Sequence, residues 1–284
     1  MESLDHNGGV SRAFTLCVVI LVTGVTAGAE RTARSITASD FGRRIGDYRL
    51  DVAPIQEAAG VAGLRITIND SSDGSVVRKF EVIDEKPFHL FVVGRDLQFF
   101  RHLFPSPLPD GFLEAREPIP PGEYLVVAAF LPVGGTRQFL RRVVTLGEHM
   151  RKDSREGSRA PQIAGRVAPG SPAGAFDMVT NVRIQPLPFA PPAGKQAQFH
   201  VMLSRTEDGR PIINLEPYLG WGGYLLAVKD DLSEVVAARA STDDLPVSLL
   251  TFDMTFPKPG PYVVWVMFHR FGEPLTARLR VTAR

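Results

Sequence analysis

The sequence predicts an all-β protein made of two tandem immunoglobulin-like antiparallel β-sandwich domains that follow an N-terminal signal segment. Three observations lead to this prediction: short alternating apolar and polar stretches between turn residues, an internal repeat at a nearly constant offset, and one apolar run near the start. No amphipathic pattern of three helical turns follows the apolar run, so a helical fold is not expected.

The N-terminal segment has the order of features found in secretory signal peptides. Arg12 precedes an apolar run of 13 residues, Ala13 to Val25, and the small residues Ala27 and Ala29 follow it. At about 1.5 Å per residue a helical run of this length spans roughly 20 Å, short of the roughly 30 Å hydrocarbon core of a bilayer. We therefore expect residues 1–29 to be a signal peptide and the protein to be exported, whether periplasmic, in the cell envelope or secreted. A retained membrane anchor is the alternative.

The overall composition excludes several classes of protein. Of the 284 residues, 44% are hydrophobic and 22% are charged, so the chain can bury a substantial core and is not disordered throughout. A formal net charge of +1 does not suit a dedicated nucleic-acid binder. The single cysteine, Cys17, lies inside the apolar run, so cleavage leaves no thiol for disulfides, catalysis or metal binding.

An internal repeat divides the rest of the chain into two units. Matching strings at offsets of 135, 135 and 138 residues are Asp73-Gly74 with Asp208-Gly209, Asp96-Leu97 with Asp231-Leu232, and Pro121-Gly122-Glu123-Tyr124 with Pro259-Gly260-Pro261-Tyr262. We expect a flexible N-terminal segment at 30–46, β-sandwich unit 1 at 47–147, a polar linker at 148–176 and β-sandwich unit 2 at 177–284. Proteolysis within the linker is expected to release two folded pieces.

Alternation and turn residues place individual strands within each unit. Leu64 to Ile68 and Phe199 to Leu203 alternate and are each followed by a cluster of turn residues. The Pro-Gly-x-Tyr strings then carry Tyr124 and Tyr262 into a following strand, similar to a tyrosine corner, in which the phenol hydroxyl bonds to upstream backbone. We expect these two tyrosines to stabilise the fold.

Two histidines in the first unit are the candidate site. If a hairpin forms about the turn Gly94 to Leu97, His89 and His102 lie directly opposite each other, with Cβ atoms roughly 4.5–5.5 Å apart. Two imidazoles at that separation can bind copper or zinc, although a closed site needs three or four ligands. They can equally be an exposed cross-strand pair.

Longer strings around these histidines support the same architecture. They are His89-Leu90-Phe91-Val92-Val93, Arg95-Asp96-Leu97 and Phe100-Arg101-His102-Leu103-Phe104-Pro105, followed in the second unit by Glu216 to Leu225 and Phe256 to Tyr262. They resemble bacterial exported two-repeat immunoglobulin-like proteins with the pattern H-L-x-V-V-x-x-D-L-x-x-F-x-H-x-H-P, mostly uncharacterised and some linked to heavy-metal handling. Phe104 stands where that pattern has a further histidine. At the second-unit positions of His89, His102 and Phe104 stand Tyr224, Ala237 and Arg239.

The sequence matches none of the common catalytic motifs, including G-x-S-x-G, H-E-x-x-H and the phosphate-binding loops. We therefore predict an exported, non-enzymatic interaction or scaffold protein of the cell envelope with an unknown protein partner and no cofactor. Nucleic acid is not an expected partner, and a membrane is one only through an uncleaved N-terminal segment. One alternative is an envelope copper- or zinc-binding protein that uses His89 and His102. Another is a membrane-tethered subunit of a larger assembly.

Overall fold

A computed structural model describes residues 48–57, 60–147, 175–177, 182–242 and 248–284. Within these ranges the chain is all-β, and its strands pair in antiparallel sheets. None of the described residues forms a helix of the length and hydropathy needed to span a bilayer. The predicted signal peptide, the segment 30–46 and nearly all of the predicted linker lie outside the described residues.

Two four-stranded sheets form the first sandwich. Its strands are β1 Tyr48–Glu57, β2 Gly60–Asp70, β3 Phe88–Gly94, β4 Phe100–Leu103, β5 Ser106–Pro107, β6 Leu113–Ala115, β7 Gly122–Phe130 and β8 Gln138–Leu146. One sheet has the order β1-β2-β6-β5 and the other β4-β3-β7-β8. The core between them is built from buried side chains such as Leu64, Ile66, Phe88 and Phe130.

The second sandwich is formed by one sheet whose two halves face each other. Its strands are β9 Ala175–Asp177, β10 Val182–Leu187, β11 Gln196–Arg205, β12 Leu215–Glu216, β13 Gly223–Lys229, β14 Val235–Ala240, β15 Leu249–Thr255, β16 Gly260–Arg270 and β17 Glu273–Ala283. The order is β12-β16-β13-β14-β15-β11-β10-β9, and β17 pairs with β16. Phe199, Phe252, Val264 and Phe268 are among the residues of its core. Strand β9 begins within the last residues of the predicted linker.

Both predicted tyrosine corners are confirmed. At the start of β7, the Tyr124 hydroxyl donates to the carbonyl oxygen of Pro120 at 2.6 Å. At the start of β16, the Tyr262 hydroxyl donates to the carbonyl oxygen of Lys258 at 2.9 Å. Each bond joins residues four positions apart, so each tyrosine fixes the chain at its entry to a central strand.

The two sandwiches repeat the same turns at the predicted offset of 135. Leu97 and Leu232 both have a left-handed φ, of 58° and 62°. Two-residue turns with consecutive positive φ precede β3 and β13, at Asp84-Glu85 and at Leu219-Gly220. Reciprocal backbone hydrogen bonds close both turns, as in type I′ hairpins. The sequence repeat is therefore a structural duplication.

A third apolar layer joins the two sandwiches face to face. All seven residues of β3 are buried, because one face of this strand covers the first core and the other packs against the second repeat. We call the buried set between the repeats the inter-repeat layer. It comprises Phe91, Val93, Leu97, Phe100, Leu125, Val127, Ala129, Tyr218, Leu219, Tyr224, Leu226, Val228, Leu232, Val235, Ala237, Val263, Trp265 and Met267. Burial of this much apolar surface favours one stable arrangement of the two repeats.

Contacts across the inter-repeat layer are reciprocal. Arg141 on β8 donates to the carbonyl oxygen of Ser233. Arg278, on the equivalent strand β17, donates to the carbonyl oxygen of Leu97 and to the side chain of Gln98. Gln98 and Ser233 are themselves equivalent in the repeat. In a two-fold dimer, each contact between the two subunits occurs a second time with the subunits exchanged. The repeats thus pack with approximate two-fold symmetry.

Candidate functional site

A group of polar side chains interrupts the inter-repeat layer. The first repeat contributes Asp84, His89 and His102, and the second contributes Tyr218, Trp221, Tyr224 and Arg239, a set that we call the polar cluster. Buried polar groups are stable only when their hydrogen bonds are satisfied, so the partners of each decide what the cluster can do.

Asp84 is the centre of one half of the polar cluster. Its left-handed turn conformation, which aspartate tolerates better than most residues, carries the carboxylate into the second repeat. One carboxylate oxygen accepts from the Trp221 indole at 2.8 Å and from the Arg239 guanidinium at 2.6 Å. The other oxygen accepts from the Tyr224 hydroxyl at 2.6 Å. The Asp84 side chain is 3% exposed, so this is a buried, charge-paired anchor between the repeats.

The electrostatics of this half hold Asp84 ionised. Burial by itself raises the pKa of the Asp84 carboxyl, but the charge of Arg239 and the donors of Tyr224 and Trp221 outweigh it and leave that pKa below its ordinary value. Burial and the neighbouring Asp84 charge raise the pKa of Tyr224 well above its ordinary value. Tyr224 is therefore a neutral donor, not a proton source.

Arg239 also stacks on an aromatic ring within its own repeat. Its guanidinium carbon lies 4.3 Å from the centre of the Trp221 ring. In the first repeat the cation and the ring have exchanged positions: Lys86 stands at the position of Trp221, and Phe104 at that of Arg239. The Lys86 ammonium lies 5.4 Å from the centre of the Phe104 ring. The buried Nε of Arg239 has no hydrogen-bond partner among the described residues.

The two histidines form a hydrogen-bonded chain beside Asp84. His89 Nε2 lies 2.8 Å from the carbonyl oxygen of Ile83, and His89 Nδ1 lies 3.1 Å from His102 Nε2. His102 Nδ1 lies 3.1 Å from the Tyr218 hydroxyl of the second repeat. The His102 ring also stacks on Phe91, with ring centres 4.1 Å apart.

One set of tautomers satisfies this chain. The Ile83 carbonyl can only accept, so His89 carries its proton on Nε2 and its Nδ1 is an acceptor. His102 must then donate from Nε2, and its Nδ1 accepts from the Tyr218 hydroxyl. Both imidazoles are neutral in this arrangement, and all four ring nitrogens have a partner.

The surroundings favour the neutral form of both rings. Burial lowers the pKa of His89, and the charges of Arg137 and Arg239 add to that effect, while the Ile83 bond and Asp84 oppose it. Burial, together with the adjacent His89, lowers the pKa of His102 well below its ordinary value.

The hairpin that carries the histidines has a different register from the one predicted. His102 pairs with Phe91 and not with His89, and Leu90 pairs with Leu103. The amide of Gly94 donates to the carbonyl oxygen of Phe99, so the loop is two residues longer than expected. A shift of two residues keeps every side chain on its face, and His89 and His102 therefore still meet as diagonal neighbours.

Both predicted site residues lie in the polar cluster, but sequence reasoning missed Asp84, Tyr218 and Trp221. The sequence repeat does contain a partial indication of the polar cluster. The repeat alignment placed Tyr224 and Arg239 at the positions of His89 and Phe104, and in a two-fold pairing equivalent positions lie at the same interface. The alignment does not show that the repeats pair through these faces, because that pairing belongs to the tertiary structure.

The fold and the polar cluster define a two-repeat immunoglobulin-like protein with a bonded interface between its repeats. Residues 179–284, less than half of the chain, match the family described as "Domain of unknown function (DUF8832)". No functionally curated protein matches the sequence.

Three solved structures illustrate the level of structural similarity. A tetra-tandem repeat in the extending region of a large adhesion protein has a TM-score of 0.24 at 10% identity, covering 84% of this chain and 49% of that one. Domains 4 and 5 of the S-layer protein SbsC give 0.22 at 14% identity, with 83% and 97% covered. Latent PorU from Porphyromonas gingivalis gives 0.22 at 9% identity, with 82% and 20% covered. Nothing about function follows from TM-scores this low.

Proposed function

We propose that the chain is an exported, non-enzymatic interaction or scaffold protein of the cell envelope. The observation that carries this proposal is the bonded inter-repeat layer, which joins two sandwiches into one body with fixed outward surfaces. The buried histidines of the polar cluster bond to each other and to the Ile83 backbone within the first repeat, and the bond between His102 and Tyr218 crosses the interface. In an enzyme such groups would point at a substrate, whereas in this chain they hold the two repeats together.

Site-specific photo-cross-linking in the source organism tests this proposal. A photoreactive residue is placed at an exposed apolar position, such as Phe271 or Ile213, and in a matched control at the buried position Leu226. We expect adducts with one or a few envelope proteins from the exposed positions and none from Leu226. Recovery of the chain from the cytosol, or the same adducts from every position, would contradict the proposal.

Copper or zinc binding is a second candidate function. The observation in its favour is the 3.1 Å separation of His89 Nδ1 and His102 Nε2, with the outer nitrogen of each ring bonded to Ile83 or Tyr218. Metal-bound histidines commonly bond through their outer nitrogen in this way. Within the described residues no group of three His, Cys, Asp or Glu side chains could complete such a site, which is why this function ranks second.

Metal titration of the purified chain decides between the two functions. Metal binding by this pair predicts micromolar or tighter affinity for copper or zinc that is lost in the His89→Ala, His102→Ala double variant. His200→Ala is the control, because His200 bonds to Thr251 on a different strand pair. Unchanged affinity in the double variant would reject these ligands.

The third candidate, a membrane-tethered subunit of a larger assembly, depends on residues outside the described ranges. N-terminal sequencing of the chain from the membrane fraction tests it. An intact residue 1 supports the tether, whereas a mature start at Glu30 supports export with cleavage.

A further inference from the structure

We infer that Asp84 and Arg239 form a recognition pair that makes each repeat select the unlike repeat as its partner. The face involved is the outer face of β3, β4 and β7 in the first repeat and of β13, β14 and β16 in the second. The partner that fits it is a domain of this same fold with the complementary charge. A second copy of this chain offers such a domain whenever the pairing within one chain is blocked.

Approximate two-fold symmetry makes this selectivity necessary. In a two-fold interface each face is complementary to an equivalent face, so two like repeats from different chains can also approach each other. The reciprocal contacts of Arg141 and Arg278 show that the outer part of the interface follows that symmetry. These contacts reach backbone carbonyls or a glutamine side chain, and they distinguish poorly between the repeats.

The polar cluster breaks the symmetry. Asp84 has Leu219 as its equivalent, and Arg239 has Phe104. A pair of second repeats would set Arg239 against Leu219 and leave a buried guanidinium without a carboxylate. A pair of first repeats would set Asp84 against Phe104, with Lys86 in place of the Trp221 indole. Only the unlike pair brings Asp84 and Arg239 together.

Burial gives this pair its discriminating power. The side chains of Asp84 and Arg239 are 3% and 11% exposed. An ion pair removed from water to this extent is expensive to break, because the remaining partner is a buried uncompensated charge. Specific interfaces use such mismatches to reject wrong partners.

Two charge-reversal variants of the full chain provide the test. In Asp84→Arg the repeats of one chain present two arginines to each other, and in Arg239→Asp they present two aspartates. We expect pairing of the repeats within either variant to weaken by on the order of 100- to 1,000-fold, as for a broken buried ion pair. Faster hydrogen exchange in β3 and β13 reports this loss.

Mixing the two variants should restore pairing between chains. The first repeat of Arg239→Asp keeps Asp84, and the second repeat of Asp84→Arg keeps Arg239, so one native interface forms between two molecules. Light scattering should then show a 1:1 complex with the mass of two chains, and hydrogen exchange in β3 should slow again.

Matched controls keep the test decisive. The ion pair between Lys258 and Glu234, at 2.6 Å, lies within the second repeat, so mixing Lys258→Glu with Glu234→Lys should give no complex. Neither Asp84 nor Arg239 belongs to the core of its own sandwich, and circular dichroism checks that each variant is folded. If a variant is unfolded, the neutral variants Asp84→Asn and Arg239→Gln measure the loss of pairing by hydrogen exchange.

The inference is overturned if the mixed variants form no complex. It is also overturned if each variant retains the hydrogen exchange of the native chain, or if the control mixture associates equally. These readouts are independent of export, so they are unaffected by failure of the proposed function.

Discussion

Asp84 links the repeats through three donors that all belong to the second repeat. Asp84→Ala leaves Arg239 buried without its carboxylate and Tyr224 and Trp221 without their acceptor. We expect the free energy of unfolding to fall by about 3–5 kcal/mol, the cost of breaking a buried ion pair from one side. Urea denaturation followed by tryptophan fluorescence measures this loss.

The control for this prediction is the exposed ion pair of Glu123 with Arg95. Glu123→Ala removes a charge whose arginine partner is well solvated, and we expect a loss of about 0–1 kcal/mol. Equal losses from Glu123→Ala and Asp84→Ala would show that burial of the Asp84 anchor adds nothing to stability.

His89 and His102 make the stability of the protein depend on pH. Their pKa values in the folded chain lie below the ordinary value of 6.5, so the folded state binds fewer protons than the unfolded state as the pH falls below 6.5. Their contribution to stability is complete at pH 7.5 and decreases on acidification. The loss is at most about 1.4 kcal/mol per pH unit for each histidine.

Urea midpoints between pH 7.5 and pH 5 measure this dependence. The double variant His89→Gln, His102→Gln should have a flatter profile than the native chain. A native slope in the double variant would assign the pH dependence to other groups.

At the scale of strands and turns, the sequence determined faces better than registers. Alternation placed His89 and His102 on one face, and that face is correct in the structure. The register of their hairpin depends on Leu97, a leucine in a left-handed conformation that turn propensities do not anticipate. The matching Leu232 shows that this turn is a property of the fold and not an isolated irregularity.

The tyrosine corners are elements that the sequence did predict, and their energetic role can be measured. Tyr124→Phe removes one hydrogen bond to backbone, and Tyr262→Phe removes the bond to the Lys258 carbonyl together with a longer one from the Lys258 amide. Both variants keep the ring in place. We expect each to lower the free energy of unfolding by about 0.5–1.5 kcal/mol. Thermal denaturation of the two single variants and the double variant tests this, and a double variant as stable as the native chain would refute it.

The sequence also indicates the inter-repeat layer through the composition of four strands, β3, β7, β13 and β16. Their sequences are nearly continuous apolar runs, FHLFVVG and GYLLAVK among them, whereas β17 alternates between buried and exposed residues. A continuous run is typical of a strand that is covered on both faces. The cores of the two sandwiches cover only one face of each strand, so the runs already required a further partner.

For the whole molecule, the inter-repeat layer changes what cleavage of the predicted linker should produce. Two folded pieces were expected to be released, but 18 buried apolar residues and the polar cluster hold the repeats together. We now expect a chain nicked between residues 148 and 174 to elute from a size-exclusion column as one species. The same nick in Arg239→Asp should give two separate species. Immediate separation of the nicked native chain would contradict the observed packing.

The sequence could predict the number of domains but not their arrangement. Duplication, domain size and strand periodicity each follow from residues that are close in the chain or at a fixed offset. Face-to-face packing depends on Asp84 meeting side chains more than 130 residues away, such as Trp221 and Arg239. Local sequence patterns do not indicate contacts between residues so far apart in the chain. Asp84 therefore did not stand out among the other acidic turn residues.

The two halves of the inter-repeat layer are far apart in the sequence, and this distance determines when the layer can form during synthesis. Equivalent residues are 135 to 138 positions apart, so the first sandwich is synthesised and can fold while its partner is still absent. During that interval Phe91, Val93 and Phe100 form an uncovered apolar surface on a folded domain. We therefore expect docking to follow the folding of both sandwiches, and the chain that carries only the first folded sandwich to be the species most exposed to aggregation.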